Sequence, residues 1–446
     1  MRKVLVIAYD FPPRGGSGVQ RTVKFAKYLP ALGWQPVILT VSNLPSREAD
    51  RMLLDDLPGD LPVYRAPDLD MRFLRGIAHR RPVQPDGSRS QKTGAGSAKA
   101  ASPLRSEKRK AWTHFVETWF LIPDSCIRWL PAALWTGLKV VRQCDAIYST
   151  SAPFTDHLVA ALLHRVSGKP WIADFRDPWT QYAIYQHSGL RSHIDASLEE
   201  CLLKAANVVT VTCAAAAKSF RQAHPSLPAD KFIEITNGFD AEDFDQAAGS
   251  LFDTFTIAYT GRFDEQKNAS YFFLQALKEL RGEYPELAPE IKTLFAGSFD
   301  KQGRALLARW SLEGMVKLLG YLPHHESVQL LLKSHVLLLT LNDEPGVNLT
   351  YPGKLFEYLA ARKTVLALVP EGATASLLRG IGAGPVVAPD DVEAIKKAIL
   401  DLHNQYRQGT GSSRTYDNLQ RFERRALTER LAQCLDAVVQ GRPLCV

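Results

Sequence analysis

Short apolar runs alternate with segments of helical spacing along most of this chain. The first run covers 3–8 and is followed by a stretch rich in Gly and Pro, after which apolar side chains recur at helical spacing over 19–32. An apolar run without polar alternation is typical of a parallel strand that is buried on both faces of a sheet. Repetition of strand and helix therefore predicts right-handed βαβ units in a doubly wound parallel sheet.

This alternation occurs in both halves of the chain. In the first half it predicts strands at 3–8, 36–41, 146–149, 171–173, 208–211 and 232–235, and helices at 19–32, 153–167 and 213–223. In the second half it predicts strands at 254–260, 291–296, 315–319, 335–341, 364–369 and 385–388, and helices at 268–282, 302–312, 324–333, 352–362, 373–380 and 390–403. The pattern therefore predicts two separate α/β sheets.

Three segments outside this alternation set the domain limits. Residues 241–253 interrupt it and indicate a linker between a first domain at 1–240 and a second domain at 254–415. Residues 416–446 have a helical pattern that belongs to neither half. Residues 78–110 are rich in Ser, Gly, Ala, Pro and basic residues, which is typical of a flexible insertion.

The composition is that of a soluble globular protein, with 446 residues of which 46% are hydrophobic and 23% charged. It excludes collagens, coiled coils and wholly disordered chains. No apolar run approaches the ~18 residues of a transmembrane helix, and the apolar stretch at 4–8 is too short for a signal peptide. None of the six cysteines stands in a C-x-x-C pair, which favours reduced thiols in the cytoplasm.

The net charge of +7 comes from one segment. Ten cations and two carboxylates lie between Arg75 and Lys110, so the rest of the chain is close to neutral. A nucleic-acid-binding protein would spread its basic residues over a folded face, so no nucleic-acid partner is expected. A Trp-rich stretch follows, and 78–135 as a whole fits peripheral contact with an anionic membrane. A solvated loop beside buried aromatic residues is the alternative.

Two loops at the carboxyl ends of predicted strands, where open α/β sheets bind ligands, carry phosphate-binding chemistry. Gly15, Gly16 and Gly18 precede the first helix, whose N-terminus offers free N–H groups to an anion, although a plain turn explains them equally well. Arg262 and Lys267 flank a helix entrance in the second half. This pair can clamp a diphosphate, and a solvated loop is the alternative.

The predicted helix over 352–362 has Thr350 before it as a candidate cap, and Gly353, Lys354 and Glu357 lie in its first turns. Lys354 and Glu357 are three positions apart, so they share one face near the positive end of the helix. A carboxylate there can accept two hydrogen bonds from a ribose diol, while Lys354 and the backbone N–H groups meet phosphates. A surface ion pair between the two side chains is the alternative.

Charged residues also follow two strands of the first half. Asp174, Arg176 and Asp177 stand in the sequence DFRDPW, which fits a catalytic or substrate-binding role or an internal ion pair that orders the loop. His157 is a candidate for lining the acceptor side, with a helix-surface position as the alternative. The sequence HHE at 324–326 lacks further ligands at matching spacing, so it predicts a helix start and no bound metal.

With these residues the chain resembles the GT-B glycosyltransferases, and within them the retaining enzymes of family 4. The resemblance covers nearly the whole chain apart from the insertion near 78–110. Its marks are YDFPPRGGSGVQR near the start, DFRDPW, Asn237 to Asp240, Thr260 to Arg262 with Lys267, and Pro352 to Ala360. It implies two Rossmann-like domains that face a central cleft, with a C-terminal helix that crosses back to the first domain.

The resemblance also implies roles for individual residues. The second domain would hold the donor, and the Gly-rich loop would close on donor and acceptor. The donor-binding set is Gly15, Gly16, Gly18, Arg262, Lys267, Tyr321, Thr350, Gly353, Lys354 and Glu357; the acceptor side has His157 and Arg176; the catalytic set is Asp174, Asp177, Arg262 and Lys267. The chain departs from the family pattern at Leu349, where many members have a glutamate, and at DFRD, where a histidine is common.

The expected function is transfer of a sugar from a nucleoside diphosphate of the UDP or GDP type to a glycan or lipid-linked acceptor, in the synthesis of cell-surface polysaccharides or glycoconjugates. No metal or other cofactor is expected, because cations and helix N-termini can neutralise a leaving diphosphate. The expected location is the cytoplasm, at the inner face of the membrane. A sugar-nucleotide epimerase or hydrolase of the same build, and a non-catalytic sugar-nucleotide-binding protein, are the alternatives.

Overall fold

The computed structural model describes residues 1–15, 17–42, 52–69, 121–182, 185, 187–245, 249–263, 269–299, 301–411 and 413–443. Gly16, Lys267 and the basic insertion at 78–110 lie outside the described residues, as does most of the Trp-rich stretch before 121. The predictions made for these residues therefore stay predictions.

The first half of the chain forms a parallel sheet in the order β3-β2-β1-β4-β5-β6-β7. Its strands are β1 (Arg2–Ile7), β2 (Trp34–Val41), β3 (Val63–Ala66), β4 (Ala146–Ser151), β5 (Trp171–Phe175), β6 (Val208–Val211) and β7 (Phe232–Glu234). The helices between them are α1 (Ser17–Tyr28), α2 (Met52–Asp55), α3 (Leu130–Val140), α4 (Thr155–Ser167), α5 (Leu190–Ala205) and α6 (Ala214–Ala223). Apolar layers cover both faces of the sheet, so its central strands are buried on both sides.

The second half forms another parallel sheet in the order β10-β9-β8-β11-β12-β13. Its strands are β8 (Phe255–Thr260), β9 (Ile291–Ala296), β10 (Val316–Gly320), β11 (Val336–Thr340), β12 (Thr364–Leu368) and β13 (Val386–Val387). Its helices are α7 (Ala269–Glu283), α8 (Lys301–Arg309), α9 (His324–Lys333), α10 (Gly353–Ala360), α11 (Ala373–Gly380) and α12 (Val392–Arg407). This sheet also carries an apolar layer on each face.

The last helix, α13 (Arg424–Gln440), packs on the first sheet although it follows the second in sequence. Leu431 and Leu435 lie in the same apolar layer as Val19 and Val23 of α1. Asp436 accepts hydrogen bonds from the side chains of Arg2 (2.6 Å) and Trp34 (3.0 Å). The predicted fold, two Rossmann-like α/β units with a C-terminal helix that crosses back to the first, is confirmed.

The sequence pattern missed β3, α2, α3 and α5. Strand β3 lies at the edge of its sheet, and three of its four residues are exposed, so it has no apolar run to detect. Helix α5 turns Arg191, Asp195 and Glu199 inward, and these charged side chains obscure its apolar periodicity. The domain limits 1–240, 241–253, 254–415 and 416–446 stay predictions.

Within the described ranges no helix combines the length and apolar character needed to cross a bilayer. In the same part of the chain, His, Cys, Asp and Glu side chains do not gather in threes as a metal-ligand set. The sequence HHE at 324–326 begins α9, as predicted for a helix start.

Candidate active site between the two sheets

A cavity of about 690 Å³ lies between the carboxyl ends of the two sheets. From the first half it is lined by Gly15, Gly18, Arg176, Asp177 and Asn237, and from the second half by Thr260, Gly261, Tyr321, His324, Thr350, Gly353, Lys354 and Glu357. The loops after β1, β5 and β8 and the first turns of α10 therefore meet at one place. This is the position at which parallel α/β sheets bind ligands.

Arg176 fixes the loop that faces the cavity from the first half. Its guanidinium donates hydrogen bonds to the carbonyl oxygens of Gly18 and Ser151, and to that of Ala152 at 2.7 Å. A Cβ at position 18 would lie 2.5 Å from Arg176 Nη1, so any larger residue there would displace the guanidinium from these hydrogen bonds. The Gly-rich loop and the end of β4 are thereby held together, and the cavity receives a preformed wall.

Lys354 projects from the first turn of α10 toward the loop after β8. Its Nζ donates to the carbonyl oxygen of Thr260 (3.3 Å) and lies 4.2 Å from the centroid of the Tyr259 ring. Among the described residues it forms no ion pair with Glu357, which removes the surface ion pair as an explanation of their spacing. The Lys354 charge lies beside the N-terminus of α10, where backbone N–H groups also favour an anion.

Glu357 lies one turn further along α10 and lines the same cavity. Burial raises the pKa of its carboxyl, and the nearby His324 and Arg424 cations oppose this effect. His324, at the start of α9, is itself hydrogen-bonded to Asp243 at 3.0 Å, and this bond raises its pKa. Glu357 thus offers an acceptor group in a cavity whose lining also contains His324, Lys354 and Arg424.

Arg262 does not join the residues that line the cavity. Its side chain is exposed at the rim, and its carbonyl oxygen accepts a hydrogen bond from the Tyr259 hydroxyl at 2.8 Å. Lys267 lies outside the described residues. Among the described residues of the predicted donor set, Lys354 is a cation that lines the cavity, whereas Arg262 does not line it.

Asp174 does not line the cavity. We therefore assign it a structural role in place of the predicted catalytic one. Its side chain is fully buried, and its two oxygens accept hydrogen bonds from Arg21 (2.8 and 3.0 Å), Tyr148 (2.7 Å), Thr150 (2.8 Å) and Thr210 (2.6 Å). Burial alone would raise its pKa, but Arg21 and the hydroxyl donors lower it to about 2. No lone pair remains for a substrate. Asp177, in contrast, does line the cavity, and burial raises its pKa.

His157 is also structural, so its predicted place on the acceptor side is wrong. The ring is fully buried in α4, where Nδ1 lies 2.8 Å from Ser149 Oγ and the ring packs 4.4 Å from Phe175. Burial lowers its pKa to about 3. Arg176 remains on the cavity wall, as predicted for the first-half side.

The buried imidazole predicts a specific dependence of stability on pH. The unfolded chain protonates His157 near its ordinary value of 6.5, whereas the folded chain stays neutral to about 3. The neutral His157 therefore contributes its full stabilisation of the folded chain above pH 6.5. This stabilisation is lost progressively as the pH falls toward 3. Between about pH 6 and pH 4.5, the unfolding free energy of the wild type should fall more steeply than that of His157→Gln, by up to about 1.4 kcal/mol per pH unit. The exposed His193→Gln should keep the wild-type slope, and equal slopes for all three proteins would contradict a buried neutral His157.

Arg424 was not among the predicted site residues, and it reaches the cavity from the first turn of α13. Its side chain is 4% exposed, and burial lowers its pKa to about 10. Its Nη1 has no hydrogen-bond partner among the described residues. The crossing helix therefore contributes a buried cation to the cavity wall beside Glu357.

A side chamber of about 560 Å³ adjoins the cavity on the first-half side, and Ala152 and Tyr185 line both. Asp10 and Arg14 form an ion pair of 2.8 Å in its wall. Trp179 also lines it, and its ring stacks on Phe154 at 4.5 Å. Aromatic faces next to charged hydrogen-bonding groups are the two kinds of contact that a sugar ring uses.

Known proteins share the fold of this chain and the sequence pattern of its second half. Residues 254–405 match the family model described as glycosyl transferases group 1. No curated protein sequence matches the chain. Among solved structures, HepE from Anabaena in complex with UDP and glucose has a TM-score of 0.64 at 16% identity, covering 98% of this chain and 100% of that one.

Two further structures have the same fold. Sucrose-phosphate synthase from Thermosynechococcus elongatus has a TM-score of 0.62 at 14% identity, covering 99% of this chain and 100% of that one. A putative UDP-N-acetylglucosamine 2-epimerase from Listeria monocytogenes has a TM-score of 0.55 at 12% identity, covering 100% and 99%. At these identities the likeness establishes the fold, and the family model establishes the type of the second half. The chain thus has the fold of GT-B glycosyltransferases, and its second half matches the group 1 glycosyl transferases over residues 254–405.

Proposed function

We propose that the chain is a retaining transferase that moves a sugar from a nucleoside diphosphate to a glycan or lipid-linked acceptor in cell-surface polysaccharide or glycoconjugate synthesis. The single observation that carries this proposal is the convergence of Lys354, Glu357 and the N-terminus of α10 on one cavity. Lys354 and the N–H groups would hold the diphosphate, and Glu357 would accept the ribose hydroxyls. UDP is the first nucleotide to test, because HepE binds it in the same fold.

The reaction would use positioning and charge more than side-chain acid–base chemistry. The acceptor hydroxyl attacks the anomeric carbon from the side of the leaving group, the bond from that carbon to the diphosphate oxygen breaks, and the diphosphate takes the hydroxyl proton. Lys354 and the α10 N-terminus stabilise the charge that develops on the diphosphate. A metal is not required for this neutralisation. Closure of the two sheets over the cavity would limit hydrolysis of the donor.

The acceptor would enter from the first-half side, through the side chamber. Tyr185 and Ala152 line both the chamber and the cavity, Arg176 donates a hydrogen bond to the Ala152 carbonyl oxygen, and Asp177 lines the cavity. An acceptor hydroxyl placed there would face the donor sugar. We place Asp177 among the polar groups that orient it, and we keep Tyr321 and Thr350 on the donor side. Arg262 stays a proposed donor contact at the rim.

The function is tested by incubating the full chain with UDP-, GDP-, ADP- and TDP-sugars and following nucleotide release and sugar products. A transferase releases nucleotide much faster when a suitable acceptor is present. A sugar-nucleotide epimerase is the second candidate, favoured by the likeness to the putative epimerase from Listeria monocytogenes. It would change the sugar without any acceptor. A chain that binds nucleotides without any turnover would be a binding protein.

Replacement of Lys354 by Met should weaken UDP binding by about tenfold or more, because a charge-assisted contact contributes about 1.5–3 kcal/mol. Isothermal titration calorimetry measures the change. Lys317→Met is the matched control, since Lys317 is exposed on β10 and away from the cavity. Equal affinities for the two variants would remove Lys354 from the donor site.

A further inference from the structure

An exposed apolar surface covers the outer side of α3 and α4, which pack side by side on the first sheet. Trp135 and Leu138 on α3 are 68% and 37% exposed, and Leu162 and Val166 on α4 are 40% and 71% exposed. Single exposed apolar residues are ordinary, whereas large ones on two neighbouring helices mark a protein or membrane contact. We call these four residues the α3–α4 surface.

The two helices are in direct contact, so their exposed residues belong to one surface. A Cβ at Gly137 of α3 would lie 2.6 Å from Cδ1 of Leu163 of α4. Leu138 follows Gly137 in sequence and Leu162 precedes Leu163, so both exposed residues lie next to this contact. Trp135 and Leu138 are three positions apart on α3, and Leu162 and Val166 are four apart on α4, so each pair shares a helix face.

The rim of the α3–α4 surface is positively charged. Lys139, Arg142, Arg165 and Lys169 lie on or directly after the two helices, and Lys139 Nζ is 4.8 Å from the centroid of the Trp135 ring. Within the described ranges none of the four cations forms an ion pair with a carboxylate. Asp156 is the single carboxylate on the two helices, and it is 1% exposed. The surface therefore combines exposed apolar side chains with a rim of cations that form no ion pair among the described residues, and Asp145 is a carboxylate near this rim.

We propose that the α3–α4 surface docks on an anionic lipid bilayer. Trp and Leu side chains would enter the headgroup region, where Trp is enriched, and the cations would meet lipid phosphates. A neutral protein partner would leave the positive rim without a counterpart. The proposal rests on residues apart from the basic insertion at 78–110 and deepens the membrane contact expected from the sequence.

Docking at this surface would suit a lipid-linked acceptor. Helix α4 begins directly after Phe154, which lines the side chamber, whereas Leu162 and Val166 lie about 10–16 Å further along its axis. Bilayer and chamber would thus stand near the two ends of one helix. This step rests on the proposed function, whereas the docking itself does not.

The test compares binding of the full-length wild type and the variant Trp135→Glu/Val166→Glu to sedimented vesicles of phosphatidylglycerol and phosphatidylcholine. Both proteins retain the basic insertion, and no nucleotide is present. Two added carboxylates on the surface should lower the partition coefficient by about tenfold or more. The control variant Leu251→Glu/Tyr284→Glu adds the same two negative charges at exposed apolar residues of the second half. It should bind the vesicles as the wild type does.

The outcomes separate the alternatives. Loss of binding in the surface variant alone, together with weaker wild-type binding to pure phosphatidylcholine and in high salt, would support the proposal. Unchanged binding of the surface variant would overturn it and assign any vesicle binding to the basic insertion. A wild-type dimer that the variant dissociates in analytical ultracentrifugation would overturn it in favour of self-association. Because the assay needs no turnover, a failed activity test leaves its result intact.

Discussion

Replacement of Asp174 by Ala should destabilise the chain by about 3–5 kcal/mol, because Arg21 would stay buried without its counter-ion. Arg21 is 1% exposed, and besides Asp174 it donates hydrogen bonds to the carbonyl oxygens of Ile235 and Thr236 and lies over the ring of Phe25. The carbonyl contacts cannot neutralise its charge. Denaturant unfolding followed by tryptophan fluorescence measures the loss.

The matched control is Glu371→Ala, which breaks an ion pair with Arg379 on the surface. Both members of that pair are solvent-exposed, so water screens the charge that remains and stability should be unchanged within error. Asp174→Asn provides the second test, since it keeps the shape and removes the charge. An Asn variant with wild-type stability and no turnover would restore the catalytic role that the sequence suggested.

Replacement of Glu357 by Gln should weaken UDP binding by about tenfold to a hundredfold, because a hydrogen bond to a charged acceptor contributes about 1.5–3 kcal/mol. The amide keeps the size of the side chain, but it offers one acceptor oxygen where the carboxylate offers two. Calorimetric titration at matched pH gives the change in affinity. The fold should be preserved, since Glu357 lines a cavity and contributes little to packing.

Glu313→Gln is the control for this experiment, because Glu313 is exposed at a distance from the cavity. A thermal unfolding curve of each variant excludes loss of affinity through unfolding. If Glu357→Gln binds UDP as tightly as the wild type, the carboxylate does not hold the ribose. The donor would then have to lie elsewhere in the cavity.

The two sheets could be predicted from the sequence because their strands are buried on both faces. Runs such as those in β1, β11 and β12 contain few polar interruptions, and the helices between them have clear apolar stripes. Helix α5 could not be predicted this way. Its buried charges are stabilised by partners both near and far in sequence, such as Arg191 with Asp195 at 2.9 Å. The spacing of apolar residues does not reveal such partners.

The site was predicted only where its residues are close in sequence. Gly353, Lys354 and Glu357 lie within two turns of one helix, so their common face follows from helix geometry. The role of Asp174 depends on Arg21, which is distant in sequence and becomes its neighbour only through the sheet order. Arg424 reaches the cavity because α13 crosses back, and a helical pattern alone does not say which sheet it will join.

The most direct test is a crystal structure of the chain with the nucleoside diphosphate that most raises its melting temperature. The account predicts the nucleotide between the sheets, with a Glu357 oxygen within hydrogen-bond distance, about 2.5–3.2 Å, of a ribose hydroxyl. It further predicts the diphosphate beside Lys354 and the first N–H groups of α10. A nucleotide bound outside this cavity, or bound within it with Glu357 turned away from the ribose, would contradict the account.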